Sequence, residues 1–392
     1  MITEKDLPHL NYLIQLRHQL HQQPELSGLE QETAHKIVEH LQAFQPDQIL
    51  THLGGTGVAA VYEGEDPEGP TVLFRAELDA LPIPETGTKA YRSRRTGVAH
   101  LCGHDGHMAI LVGLASLLEQ QRVARGKVIL LFQPAEETGA GARAVLAESG
   151  FAELAPDYVF ALHNIPGAPL HQVVLRNEVF AAASTGLIVE FQGSSSHAAE
   201  PEIGHNPGVA MAELVLALNQ LAQQKDQFRN LTLLTVIHAR LGEVAFGTNP
   251  GFATVMATLR AYQPADFDLL KHLTEKAVKV EAEKHKLTYS IRYTEEFPAT
   301  VNHTSSVQLV RRAAEKLQLE VQEAQQPFRW SEDFGHFTNK YNGALFGLGS
   351  GLEQPQLHHS NYDFPDALIP TGAVLFYTIA QQILNKEKEA IQ

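Results

Sequence analysis

One short stretch concentrates donor atoms. His100-Leu101-Cys102-Gly103-His104-Asp105-Gly106-His107 carries a thiol, three imidazoles and a carboxylate within eight residues. Cys102 is the only cysteine of the chain, so it has no partner for an intrachain disulfide. Thiolate and imidazole together suit zinc or a neighbouring transition metal. The alternative is that Cys102 is a small buried hydrophobe and the histidines, 20 in the chain, cluster incidentally. A second group, Gln133-Pro134-Ala135-Glu136-Glu137-Thr138-Gly139, has two adjacent acids that point different ways. One can bind metal while the other faces a substrate, and a carboxylate beside a metal-activated water is placed as a general base. The competing reading is a solvated helix start, where acids are favoured by the dipole. Leu162-His163-Asn164 and Leu357-His358-His359-Ser360 each read, taken singly, as a structural histidine. In Arg75-Ala76-Glu77-Leu78-Asp79-Ala80-Leu81-Pro82, Asp79 either orients a ligand histidine or caps the next segment.

The elements that must position these groups follow from periodicity. Residues 6–22 and 29–45 read as amphipathic helices broken by Pro24 and Gly28. Val58–Tyr62, Thr71–Ala76, Val128–Phe132 and Tyr158–Leu162 are short apolar runs of buried strands, with helical patterns at 106–121 and 139–149 between them. That alternation predicts an α/β fold with a largely parallel, helix-flanked sheet. Donor clusters that follow its strands fall on one sheet edge, where open α/β sheets bind ligands. Near residue 180 the pattern changes: strand Leu187–Phe191, helix Pro207–Gln224, strands Leu233–Ala239 and Thr254–Ala261, helix Ala265–Lys286 and strand Thr288–Tyr293. This is a β-α-β-β-α-β order, a split βαβ unit of α+β type inserted into the first domain. The α/β pattern then resumes with helix 304–318, strand 344–348 and helix 370–386. We therefore expect a discontinuous metal-binding domain, 1–180 and 297–392, and an inserted domain, 181–296.

A chain of 392 residues is long enough for two or three domains. Its net charge of -15 argues against a nucleic-acid partner, which would call for a basic stripe. Met1–Asp6 carries neither a basic n-region nor an apolar h-region, and no apolar run approaches the ~20 residues that span a bilayer. A soluble, cytoplasmic protein with no membrane partner is the expectation.

In this order, the motifs resemble the amidohydrolase branch of the dimetal aminoacylase–carboxypeptidase superfamily, which includes hippurate hydrolase. The resemblance starts at Arg17-His18-Gln19-Leu20-His21-Gln22-Gln23-Pro24-Glu25-Leu26-Ser27 and runs through Asp79-Ala80-Leu81-Pro82, the CGHDGH and QPAEE strings and Leu162-His163. It continues in Ser196-His197-Ala198-Ala199-Glu200-Pro201, Ser331-Glu332-Asp333-Phe334 and Leu357-His358. It implies two divalent ions (zinc, manganese, nickel or cobalt) held by Cys102, His104, Glu137, His163 and His358, with Cys102 bridging and His359 the fallback for His358. It further implies Glu136 as general acid/base, and His197 as an oxyanion donor reaching the site from the inserted domain, often across a homodimer. Asn249 and Arg260 resemble the pair that holds a substrate carboxylate. The expected activity is hydrolysis of the amide of small N-acyl amino acids. A metallo-dipeptidase or aminopeptidase using the same ions, a cysteine hydrolase with Cys102 as nucleophile, and a non-catalytic binding protein are the rivals. The chain departs from the family pattern at Glu77, where Asp is usual. It also departs around Asn249, where Val-Ile is missing before Pro250, and after Phe364, where Pro365-Asp366 replaces an acid pair.

Overall fold

In chain order, Leu10–Gln22 (α1) and Gln31–Gln42 (α2) lead into strands Gln48–Leu53 (β1), Gly57–Glu63 (β2) and Asp66–Glu77 (β3). These assignments come from a computed structural model that describes residues 7–385. Met1–Asp6 and the expected helix ends at 6 and 386 lie outside the described residues. The chain continues through His104–Gln120 (α3), Arg125–Gln133 (β4), Gly141–Ala147 (α4), Ser149–Ala152 (α5), Tyr158–Pro166 (β5), Val173–Leu175 (β6) and Glu178–Ala181 (β7). Next come Ala183–Gln192 (β8), Ser196–His197 (β9), Gly208–Leu221 (α6), Thr232–Leu241 (β10), Thr248–Asn249 (β11), Phe252–Ala261 (β12), Pro264–Lys284 (α7) and Thr288–Phe297 (β13). The return is Thr300–Asn302 (β14), Thr304–Lys316 (α8), Val321–Glu323 (β15), Gly335–Thr338 (α9), Asn342–Gly351 (β16) and Leu368–Leu384 (α10). Contacts divide the described residues into two units, one of residues 7–180, 300–326 and 333–385, the other of 181–299 and 327–332.

The first unit is built on an eight-stranded sheet in the order β1-β2-β4-β3-β5-β16-β6-β15. Its centre, β4-β3-β5-β16, is parallel, as the alternating pattern predicts. Antiparallel pairs occur at β1–β2, β2–β4 and β16–β6. The central strands are buried almost without interruption, which is how a sheet covered on both faces reads in sequence. β3 and β4 end level, Glu77 opposite Gln133, and His163 on β5 lies opposite Gly347 on β16. The residues that follow these ends, Asp79 and Glu136–Glu137, therefore emerge on one edge together with His163. Helix α3 is buried on all sides from His104 to Leu118 and packs against α1 and α10. It starts two residues earlier than periodicity predicts, because Gly103 turns the chain at φ +97° immediately before it.

The second unit has a four-stranded antiparallel sheet, β10-β12-β8-β13. Helices α6 and α7 bury Leu214, Leu218, Leu270 and Val278 with Leu187, Val189, Val255 and Leu259 of the sheet. The strand order of a split βαβ unit is thus observed. Among the described residues no helix is long and apolar enough to cross a membrane.

Candidate active site

Cys102, His104, Glu136, Glu137, His163 and His358 all come together in the first unit. Their ligand atoms form overlapping sets, each within 4.8 Å: Cys102, His104 and His163; Cys102, Glu137 and His358; His104, Glu136 and Glu137. Cys102 Sγ is 3.4 Å from His163 Nε2. His163 Nδ1 is turned to its neighbour's carbonyl, Asn164 O, at 3.0 Å, which aims Nε2 inward. His104 sits at the first position of α3 and donates from Nδ1 to the Asp79 carbonyl at 2.8 Å. Its Nε2 stands 3.9 Å from both Glu136 Oε2 and Glu137 Oε1. That nitrogen is buried and makes no hydrogen bond. A buried imidazole nitrogen facing two carboxylates and a thiol is the arrangement a cation completes. His358 Nε2 is 3.6 Å from Glu137 Oε2. Its neighbour His359 instead accepts a hydrogen bond from the Asn361 N–H at 3.2 Å.

The surroundings keep these groups in place. Asp79 Oδ2 accepts from the Glu137 N–H at 2.9 Å and from Ser27 Oγ at 2.6 Å, so its carboxylate fixes the acidic turn while its carbonyl orients His104. Ala135, at φ +49°, donates its N–H to Glu30 Oε1 at 2.8 Å, which holds the turn that presents Glu136. Asn164 lies against Gly103, where an added Cβ would fall 2.7 Å from Asn164 Oδ1. His107 is not free to ligate: Nδ1 meets Glu77 Oε2 and Nε2 meets Asn164 Oδ1, each at 2.6 Å. Glu77 is in turn paired with the buried Arg75, whose other nitrogens reach Gln133 Oε1 at 2.9 Å and Asp333 Oδ1 at 2.7 Å.

The electrostatics of the pocket favour positive charge. Burial works against the His104 imidazolium, but Glu77 and then Asp79 and Glu137 outweigh it and raise its pKa to about 10. A field that holds a buried imidazolium at that value would equally stabilise a divalent ion. Burial likewise opposes ionised Glu77, and Arg75 and His107 overcome it, holding the carboxyl well below its usual range. Burial and then His104 lower the pKa of His358, which favours the neutral imidazole that can offer a lone pair.

His197, Asn249 and Arg260 belong to the second unit. His197 on β9 is exposed and its Nδ1 accepts from the Ala199 N–H at 3.0 Å. Asn249 on β11 pairs with Ser196 on β9, and its amide is bonded to Ser196 Oγ, the Pro201 carbonyl and Asn206. Arg260 lies near the other end of β12, bonded to Ser331 Oγ at 2.9 Å and the Arg329 carbonyl at 3.2 Å. The strand from Phe252 to Arg260 spans roughly 27 Å at ~3.4 Å per residue. Asn249 and Arg260 therefore do not close on one carboxylate within a subunit. Sequence reasoning missed Glu30 and the Arg75–Asp333 contact, which no local pattern signals.

The family model described as peptidase family M20/M25/M40 matches residues 73–382. The chain belongs to this family. The N-acetyl-L-cysteine deacetylase of Bacillus subtilis (strain 168) is 32% identical over 379 residues, covering 96% of this chain and 89% of that protein. Hippurate hydrolase of Campylobacter jejuni is 29% identical over 372 residues, covering 94% and 96%. A crystal structure described as a dinuclear metal-binding peptidase of the M20 family, from Bacillus subtilis, matches with a TM-score of 0.81 and 25% identity, covering 96% and 99%. The family expected from the CGHDGH and QPAEE strings is borne out, and this M20 chain is a hydrolase of amide carbon–nitrogen bonds.

Proposed function

We propose that this M20 chain hydrolyses the amide of N-acyl amino acids, releasing a carboxylic acid and a free amino acid, at a centre for two divalent ions. Cys102, His104, Glu137, His163 and His358 would hold the ions. One observation carries this reading: the donor sets overlap at Cys102 and leave the Glu136 carboxylate beside them, 3.9 Å from His104 Nε2. Thiolate and imidazole suit zinc, nickel or cobalt, and the carboxylates also admit manganese. The bound ions would polarise the acyl carbonyl and acidify the attacking water. Glu136 takes the proton of that water and passes it to the leaving amine, a base turned acid. His197 donates a hydrogen bond to the developing oxyanion. Arg260 holds the substrate carboxylate through its guanidinium fork, which fixes the scissile bond.

Asn249 lies on β11, just before β12 begins, and Arg260 near the far end of β12, while His197 is exposed on β9 beside β11. A homodimer through the second unit would let one subunit supply His197 and Asn249 and the other Arg260. The uncovered edge of β10 supports this, with Ile237 and the adjoining Val244 and Phe246 exposed to solvent. The single cysteine, which has no partner for an intrachain disulfide, supports a reducing compartment such as the cytoplasm.

The relatives named for N-acetyl-L-cysteine and hippurate favour acyl amino acids; the structural neighbour described as a peptidase favours the dipeptidase alternative. A panel of N-acetyl and N-benzoyl amino acids against free dipeptides, with and without chelator, separates them. The proposal predicts chelator-sensitive turnover of acyl amino acids and little of dipeptides. The reverse preference would make the chain a dipeptidase, and activity that survives metal removal would point to Cys102 as nucleophile.

A further inference from the structure

Arg17 on α1 is fully buried yet belongs to none of the groups discussed so far. Its guanidinium gathers three carboxylates: Asp105 Oδ2 at 3.0 Å, Asp363 Oδ1 at 3.0 Å and Asp366 Oδ1 at 2.5 Å. These acids are not scattered. Asp105 follows His104 directly on α3, and Asp363 and Asp366 lie on the segment that follows His358. His358 is the weakest point of the donor set. Its side chain is 48% exposed, whereas those of His104 and Glu137 are 0% and 12% exposed. Its backbone has φ +64°, a left-handed conformation that a non-glycine residue keeps only when its surroundings impose it.

Attachments on both sides of His358 hold the segment. At one end the His358 N–H donates to the Leu101 carbonyl at 2.9 Å, one residue before Cys102. At the other, Arg17 draws Asp363 and Asp366 onto the carboxylate beside His104. Tyr91 reinforces this end, with its hydroxyl donating to Asp363 Oδ2 at 2.7 Å and its ring 4.7 Å beneath the Arg17 guanidinium. Asp105 also has His21, Asp363 has Lys89 and Asp366 has His18, but Arg17 alone reaches all three, so without it the segment loses its ionic link to α3.

We propose that Arg17 is a positioning residue for the metal centre, a clamp that fixes the His358 segment against the start of α3 and so sets the affinity of the ion that His358 holds. This rests on the two-ion reading above. A lysine cannot replace the fork, because its point charge has no planar array to meet three carboxylates.

The test is metal content of the purified full-length protein across a series of buffered free-zinc concentrations, with turnover measured in parallel. Arg17→Lys and the milder Asp363→Asn should keep one ion per subunit at the parent's affinity and bind the other at least tenfold more weakly. Their lost kcat should return as free zinc is raised, with KM unchanged once both ions are bound, which a general loss of structure would not allow. Should Arg17→Lys fail to fold, Asp363→Asn decides by the same readout. His358→Ala runs beside them. If it loses an ion while both clamp variants bind two with parent affinity, the clamp is overturned and the site stands. If His358→Ala itself binds both ions normally, the ligand assignment falls, and the clamp with it.

Discussion

His21 gives a pH signature that can be worked out from the structure. Its ring is buried, with Nδ1 2.9 Å from Asp105 Oδ2 and Nε2 3.4 Å from Glu85 Oε1. Burial disfavours the charged ring, but Asp105 outweighs it, and the pKa rises from 6.5 to about 9. A group that binds its proton more tightly in the folded state stabilises the fold fully below the unfolded pKa and loses that contribution as pH rises through the folded value. The shift corresponds to about 3 kcal/mol at ~1.4 kcal/mol per pH unit. The depressed pKa of Asp105 reports the same attraction and is not added to it. In a unit of this size that is roughly 6 °C in melting temperature. Substituting His21→Gln removes the titration while keeping an amide that can donate to Asp105. Thermal unfolding of parent and variant from pH 6 to pH 10, both with chelator so that metal linkage drops out, should show the gap largest at pH 6. It should narrow through pH 7–9 by about 3 kcal/mol and leave only a pH-independent packing residue near pH 10. A gap that stays constant, or widens with pH, would refute the reasoning.

Two further substitutions probe the frame of the site. Gly103→Ala imposes a Cβ at φ +97° and 2.7 Å from Asn164 Oδ1; the backbone alone costs about 1–2 kcal/mol, so the chelated variant should melt lower and hold metal more weakly, and a melting point within about 1 °C of the parent's would contradict it. Arg75→Met leaves Glu77 and Asp333 buried without their shared cation, a loss of about 3–5 kcal/mol for a broken buried pair; chemical denaturation checks it, and an unchanged midpoint would count against the network.

Much of the large sheet is legible in sequence because β2, β4 and β5 carry uninterrupted apolar runs, as strands buried on both faces do, although β2 runs antiparallel to both its neighbours. β1 is not, because Gln48-Ile49-Leu50-Thr51-His52-Leu53 is an exposed edge strand without alternation. The short strands β6 and β15 are set by pairing with neighbours rather than by their own pattern. His163 lies inside β5 rather than after it, since the strand runs on through Asn164 to Pro166 beyond the apolar run. The donor residues themselves stand out by type and order. Their supports do not: Arg17 and Asp363 are 346 positions apart, and nothing local marks Asp79 as using its carbonyl for His104 and its carboxylate for Glu137. Likewise, nothing in the periodicity marks 327–332 as clustering with the second unit. Such contacts are properties of the packed chain.

The central claim is that Glu136 moves the proton at a metal centre it does not itself hold together. Glu136→Gln keeps the shape of the side chain and removes its basicity. Metal analysis and steady-state turnover of the same purified sample, with an N-acyl amino acid as substrate, test this directly. The account predicts two ions per subunit, as in the parent, with kcat reduced by about 10²–10⁴-fold. A variant that retains both ions and hydrolyses the substrate at close to the parent rate would contradict it.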